Sequence, residues 1–343
     1  MSELANFHRS VKAGGAVAIL SAALWVGTPA APSTPAAQDT VYRSRSDLVS
    51  LFATVTAADD TLVMDLPQDA FQVYDNGHRQ TVTVFSREVQ PISVIVLLDR
   101  SGSMAADADL VSDAAAEFVK RLLPTDKARI GHFSNEIVMA PDTFTSDQAE
   151  LLRVLAGAMQ PAESSPIWTA TDRAVTALLH EGGRRVILLL TDGHDNPMLG
   201  QVHTDVKDVT YRAEYDEIML YTIGVSNTEW QLTGGGPRGS RFGGPPRPQG
   251  GAYFSSKTEP PDPSLKKLAD ESGGRYFYLD PEQHLASLFA RIADELHHQY
   301  WLGFVPAKLD GNVHKLEVKI ARQGLTVRAR RSYVADSRMM QAK

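Results

Sequence analysis

Three kinds of hydrophobic spacing succeed one another along the chain. From Leu48 to Phe85 apolar and polar residues alternate in short runs, Leu48–Thr56, Phe71–Tyr74 and Gln80–Phe85, with Asp75-Asn76-Gly77 as a hairpin signal between the last two. That pattern predicts a small β unit of three or four strands, too few to be stable alone. From Ile92 onward continuous apolar runs take over: Ile92–Leu98, Arg185–Thr191 and Ile218–Val225 read as strands buried on both faces, as in a parallel sheet. Between them the period changes to that of helices. Leu110, Val111, Ala114, Phe118, Val119 and Leu122 fall on one helical face, and further helices are expected over 147–159, 169–180, 206–217, 264–273 and 281–298. Residues 128–133 and 136–139 read as a strand pair, and 275–279 as one more strand. Strand and helix in alternation predict the α/β class, a doubly wound, mostly parallel sheet of Rossmann-like form with the small β unit on its flank. After residue 298 alternation returns in Tyr300–Val305, His314–Ile320 and Thr326–Val334. This suits antiparallel strands with one wet face, expected to complete the sheet begun by the N-terminal unit.

Two stretches fit neither period. Residues 227–263 are dense in Gly and Pro with few large apolar side chains, which predicts a flexible insertion that cannot bury enough surface to order itself. At the N-terminus Arg9 and Lys12 precede the apolar run Ala13–Val26, and a Pro/Ala/Ser/Thr stretch follows from Thr28 to Ala37. Charged, then apolar, then small is the order of a secretory signal, with cleavage expected after Ala36. The run is shorter than the ~20 residues of a full span. An uncleaved N-terminal anchor is the alternative. The expected organisation is therefore a signal over 1–36, a linker over 37–46, a β unit over 47–90, an α/β domain over 91–298, C-terminal strands over 299–335 and a tail over 336–343. It places the folded part outside the cytoplasm, secreted or periplasmic, with membrane association only if the N-terminal segment is retained.

Composition narrows the chemistry. The 343 residues are 43% hydrophobic and 22% charged, ordinary for a globular protein. A net charge of −7 and the lack of any Lys/Arg stripe argue against a nucleic-acid partner. The absence of cysteine excludes disulfides, thiolate zinc, a Cys nucleophile and a lipid anchor on Cys.

The first buried strand ends in Asp99-Arg100-Ser101-Gly102-Ser103. A carboxylate and two hydroxyls at alternate positions are hard oxygen donors, suited to Mg²⁺, Mn²⁺ or Ca²⁺. They stand where ligands bind in open α/β sheets, at the carboxyl end of a strand. The competing reading is a helix cap, since Ser and Asp are preferred there, but a cap needs only one of the three. Asp192 follows another buried strand. Two carboxylates brought to one sheet edge repel unless a cation or protons intervene. The loop Glu163–Thr169, leading into a helix, offers more hydroxyls.

This set resembles the von Willebrand factor A domain and its metal-ion-dependent adhesion site. Asp99, Ser101 and Ser103 match the family's Asp-x-Ser-x-Ser element, Asp192 in Thr191-Asp192-Gly193 matches its later Asp, and Ser165 stands where a loop Thr is usual. The flanks Asp69–Gln80, Leu268–Arg275, Ile292–Phe304 and Val327–Tyr333 resemble a secreted bacterial subfamily abundant in Acidobacteria. The resemblance implies metal ligation by Asp99, Ser101, Ser103, Ser165 and Asp192, and Mg²⁺ (or Mn²⁺ or Ca²⁺) as cofactor. One coordination position would stay open for an acidic side chain of a protein partner. Adhesion or protein–protein binding is then expected, not turnover.

Two rivals stay open. A haloacid-type phosphotransferase wants a second Asp where Ser101 stands, and a serine hydrolase wants Gly-x-Ser-x-Gly, which is absent at Ser101. A scaffold that binds no metal is the other rival, because Ser165 departs from the usual Thr. Elsewhere plainer roles are expected: Asp195 as a cap, Trp168 as core, Asp107 and Asp109 facing solvent, and His297-His298 as a helix-end pair favourable against the dipole.

Overall fold

A computed structural model describes residues 48–157, 162–197, 200, 203–225, 227–233, 253–279 and 284–336. The expected signal and linker over 1–46, the middle of the Gly/Pro-rich stretch and nearly all of the tail lie outside the described residues. Within them, no helix is long and apolar enough to cross a membrane.

The N-terminal alternating runs form β1 (Val49–Ala57), β2 (Phe71–Asp75), β3 (His78–Gln80) and β4 (Val84–Ser86). The turn between β2 and β3 is carried by Asn76 and Gly77, both left-handed at φ 48° and 81°, as a tight hairpin requires.

The continuous apolar runs and helical periods give β5 (Ile92–Asp99), α1 (Ala108–Val119), β6 (Lys127–Phe133), β7 (Ile137–Thr145), α2 (Gln148–Leu155), α3 (Ile167–Leu178), β8 (Arg184–Thr191), α4 (Val206–Tyr215) and β9 (Met219–Val225). Then come β10 (Asn227–Thr233), β11 (Tyr253–Glu259), α5 (Pro263–Ser272), β12 (Tyr276–Leu279) and α6 (Leu285–His297). Six strands make one sheet in the order β12-β9-β8-β5-β6-β7. All are parallel but β7, which returns antiparallel to β6. Every residue of β5 is buried, because helices cover both faces. Val94, Val96 and Leu98 pack toward α1 and α6, and Ile95 and Leu97 toward α3, α4 and α5. Caps fix several helix starts: the Asp147 carboxylate accepts from the N–H of Ala149 and Glu150 at α2, and Asp205 and Asp262 do the same for α4 and α5. Left-handed Gly273 closes α5.

The C-terminal part contributes β13 (Tyr300–Phe304), β14 (Val313–Ile320), β15 (Leu325–Arg328) and β16 (Ser332–Val334). With β1–β4 they build two four-stranded sheets, β15-β1-β13-β4 and β16-β14-β2-β3. β1 pairs antiparallel with β13 and β15, and β2 with β14. The two sheets share a core of Val49, Leu51, Phe71, Val73, Leu302 and Phe304, among others. It is a sandwich formed by the two ends of the described chain.

Two sequence expectations change. The alternating run 326–334 was expected as one strand. It is two, because the chain leaves β1 in one sheet after Arg328 and joins β14 in the other at Ser332. A period of two registers alternation and not the partner. The stretch 227–263 was expected to be unordered throughout, but its ends pair as the antiparallel ladder β10–β11, from Asn227↔Glu259 to Thr233↔Tyr253. Backbone pairing there does not need the apolar surface on which the expectation rested.

Candidate functional site

Asp99 is the last residue of β5, and Thr191 the last of β8. The two strands run parallel with Leu98 opposite Leu190, so their ends come level at one edge of the sheet. Asp192, one residue beyond, joins the same edge. The chain then turns into a 3-10 segment, Gly102–Asp107, ahead of α1. Ser101 precedes that segment in the capping position, yet its side chain makes no capping hydrogen bond. Its hydroxyl lies instead 3.1 Å from the Ser103 hydroxyl, and Ser103 donates to the Asp192 carboxylate in a short hydrogen bond.

Ser165 arrives from the loop before α3. That loop is held by a reciprocal backbone pair with Asn196, 2.8 Å each way, and by Asn135, which accepts from the Ser164 hydroxyl at 2.9 Å. So placed, the Ser165 hydroxyl donates to Asp99 Oδ2 at 2.9 Å. The five residues expected from the sequence, Asp99, Ser101, Ser103, Ser165 and Asp192, are thus brought into one connected set of oxygens. Four are nearly inaccessible, and Ser103 is exposed and opens the set to solvent.

Thr191 was not among the expected site residues, and it belongs to the set. Its hydroxyl donates to Asp99 Oδ2 at 2.6 Å and accepts from the N–H of Gly193 at 3.0 Å. The signal for it was the parallel register, which places the last residue of β8 beside the last of β5. Gly193 is left-handed at φ 84°, and a Cβ there would stand 2.6 Å from the backbone nitrogen of Asp262. The turn that carries Asp192 therefore requires glycine. Asp195 caps α3 and not the turn that follows it: it accepts from the backbone N–H of Trp168 at 3.4 Å, at the start of α3, where the helix has no capping side chain of its own. Trp168 is core.

Electrostatics set Asp99 apart. Burial pushes its carboxyl up to about 6, the hydrogen bonds from Thr191 and Ser101 oppose this, and the neighbouring Asp192 charge adds to it. Oδ1 accepts from the Ser101 N–H at 2.8 Å, while Oδ2 accepts from two hydroxyls. Among the described residues, no Lys, Arg or His forms an ion pair with it. Arg100, next in the chain, turns away and donates to the Ala108 carbonyl and the Ser112 hydroxyl.

The donor chemistry fits a hard divalent cation. Two carboxylates and several hydroxyls converge, and Mg²⁺ is typically held by one or two carboxylates with water completing its shell. No group of three or more His, Cys, Asp or Glu able to hold a metal occurs among the described residues.

Residues 93–238 match the family model described as von Willebrand factor type A domain. No curated protein sequence matches the chain. Among solved structures, the chain is similar to a von Willebrand factor type A protein from Catenulispora acidiphila, at 13% identity and a TM-score of 0.46, covering 77% of this chain and 73% of that one. It is also similar to an aerotolerance-related membrane protein from Bacteroides fragilis, at 18% identity and a TM-score of 0.43, covering 60% and 98%. A third is proximal thread matrix protein 1 from the mussel byssus with a zinc-occupied MIDAS motif, at 13% identity and a TM-score of 0.44, covering 64% and 48%.

Proposed function

We propose that the chain carries a von Willebrand factor type A domain, whose family model residues 93–238 match, and that it binds another protein through a divalent cation held at the edge defined by Asp99 and Asp192. Domains of this family commonly serve protein–protein interaction and are mostly not enzymes. The observation that carries the finer reading is the convergence of two carboxylates with the hydroxyls of Ser101, Ser103 and Ser165, around an Asp99 that is buried without a paired cation among the described residues. An uncompensated buried carboxylate is costly, and a cation removes that cost.

Asp99, Ser101, Ser103, Ser165 and Asp192 would hold the ion, with Mg²⁺ ahead of Mn²⁺ and Ca²⁺. The bound cation would supply a Lewis-acidic site that favours an anionic oxygen. Thr191 would act by holding Asp99, not by ligation. The exposed Ser103 marks the open side, where an acidic side chain of the partner would approach. The substitution of Ser for the family's Thr at 165 keeps the hydroxyl, which already reaches Asp99. Each serine hydroxyl is engaged with another oxygen of the set, which favours ligation over nucleophilic hydrolysis. The N-terminal order of charged, apolar and small residues supports a secreted or periplasmic location, or a membrane-anchored one if that segment is retained.

Calorimetric titration of the full chain with Mg²⁺, Mn²⁺ and Ca²⁺ tests the reading. Saturable heat with at least one of the three, lost in Asp99→Ala, is expected. No heat from any ion would overturn it in favour of a scaffold without metal. Retention of an envelope partner should then be lost in chelator.

A further inference from the structure

The opposite end of the six-stranded sheet holds a feature that the metal edge does not use. A cavity of about 310 Å³ lies where β5, β8 and β9 begin, between the α/β domain and the sandwich. Its volume is that of a small-molecule pocket. Phe52 of β1 and Trp301 of β13 both line it and stand directly opposite each other in the β1–β13 ladder. They occupy the positions that alternate with the buried residues of those strands, so their rings leave the sandwich core and form an aromatic wall. Ile218 and Met219 add aliphatic surface from the α/β side.

Two buried arginines complete the lining, the Arg184 guanidinium lying over the Phe52 ring 5.0 Å from its centroid, and each has buried donors without a partner among the described residues. Arg184 is 4% exposed; it donates to the Gln299 side chain at 2.6 Å and to the Leu296 carbonyl, while its Nε has no partner among the described residues. Arg330 is 8% exposed; its Nη2 donates to Glu217 at 2.9 Å, while Nε and Nη1 have none among the described residues. A guanidinium carries five N–H donors, and leaving them buried and unpaired is costly. The acidic groups of the lining are already engaged: Glu217 by Arg330, Glu214 by the Ser332 hydroxyl at 2.6 Å, and Glu271 by Lys267 at 3.9 Å. Glu217 itself sits at φ 53°, a left-handed position after α4 where glycine or asparagine is usual. A strained residue whose side chain holds Arg330 points to the arginine being positioned for use.

We propose that this cavity binds a small organic anion, with a flat apolar body against Trp301 and a carboxylate toward which the Arg330 guanidinium turns its buried, unpartnered nitrogens. It is independent of the metal edge, at the other end of the strands.

The probes are naphthalene-1-carboxylate and its neutral partner naphthalene-1-carboxamide, titrated calorimetrically into the full chain with chelator present, so that no carboxylate can bind through a metal. One equivalent of the carboxylate should bind, with the amide at least about tenfold weaker, as expected for a lost charged hydrogen bond. Arg330→Gln should weaken the carboxylate by about the same factor and leave the amide unchanged. Trp301→Ala should weaken both. Absence of binding by either probe overturns the proposal, as does equal binding of the two. Carboxylate affinity undiminished in Arg330→Gln also overturns it. If that variant does not fold by circular dichroism, the carboxylate–amide difference and its response to Trp301→Ala decide.

Discussion

Glu295 and Asp99 are both 1% exposed, yet the chain surrounds them in opposite ways. Glu295, near the end of α6, is ion-paired with Arg328 of β15 and lies 3.7 Å from Arg275. The Tyr221 hydroxyl donates to it at 2.5 Å and Thr54 of β1 at 3.4 Å. These groups come from the α/β domain and from the sandwich, so the carboxylate ties one to the other. Asp99 receives only neutral donors from the described residues, two hydroxyls and a backbone N–H. A buried charge neutralised by built-in arginines belongs to the architecture. A buried charge left to hydroxyls at a sheet edge is the one that, in the proposed function, a cation from outside would neutralise. The contrast separates a structural carboxylate from the one proposed to be functional without any conservation argument.

The largest effect should come from breaking the structural member. Glu295→Gln leaves Arg328 buried without its counter-charge and should cost about 3–5 kcal/mol in denaturant unfolding; a loss below about 1 kcal/mol would place Glu295 in solvent-like surroundings and erase the contrast. Asp99→Asn should do the reverse. It removes an uncompensated charge while keeping an acceptor oxygen, so stability without metal should change by less than about 1 kcal/mol. What it should abolish is stabilisation by Mg²⁺, which in the unsubstituted protein amounts to about 2.7 kcal/mol at a hundredfold excess over Kd. Thermal melts with and without Mg²⁺ read both.

Thr191→Val tests the residue that only holds Asp99. Losing an outer-shell hydrogen bond typically costs 10–100-fold in metal affinity, and that loss is expected here. An unchanged affinity by calorimetry would make Thr191 a bystander.

The smallest effect concerns Asp60, which shares Arg275 with Glu295. The hydrogen bond from Arg275, aided by Arg291, holds the Asp60 carboxyl down at about 2. The ordinary value is about 3.9. Its contribution is therefore complete above pH ~4 and is lost as pH falls toward 2. Its side chain is 39% exposed, so solvent screening keeps the effect under about 1 kcal/mol. Asp60→Asn should flatten the stability profile between pH 4 and 2, lowering stability by that small amount at pH 7 and leaving it unchanged near pH 2. Asparagine accepts the left-handed backbone found there, φ 66°. Equal acid sensitivity in both proteins would remove the pairing from the account.

Much of this molecule was legible in one dimension. Runs such as Ile92–Leu98 and Arg185–Thr191, apolar without alternation, can only be strands covered on both faces, because any exposed face would demand polar residues. The Asp-x-Ser-x-Ser spacing put three hard oxygens on one strand tip, since adjacent residues cannot all face the same way. Those are local properties, fixed by period and side-chain chemistry. Partnership is not local. That β1 lies between β13 and β15, that 325–334 divides between two sheets, and that Thr191 stands beside Asp99 all depend on register between distant segments. The same holds for the two buried carboxylates. Sequence marked Asp99 by its neighbours in the chain, but Glu295, its arginines and Thr54 are brought together across separations of 20 to 241 residues, and only the folded packing decides which buried charge is already paired.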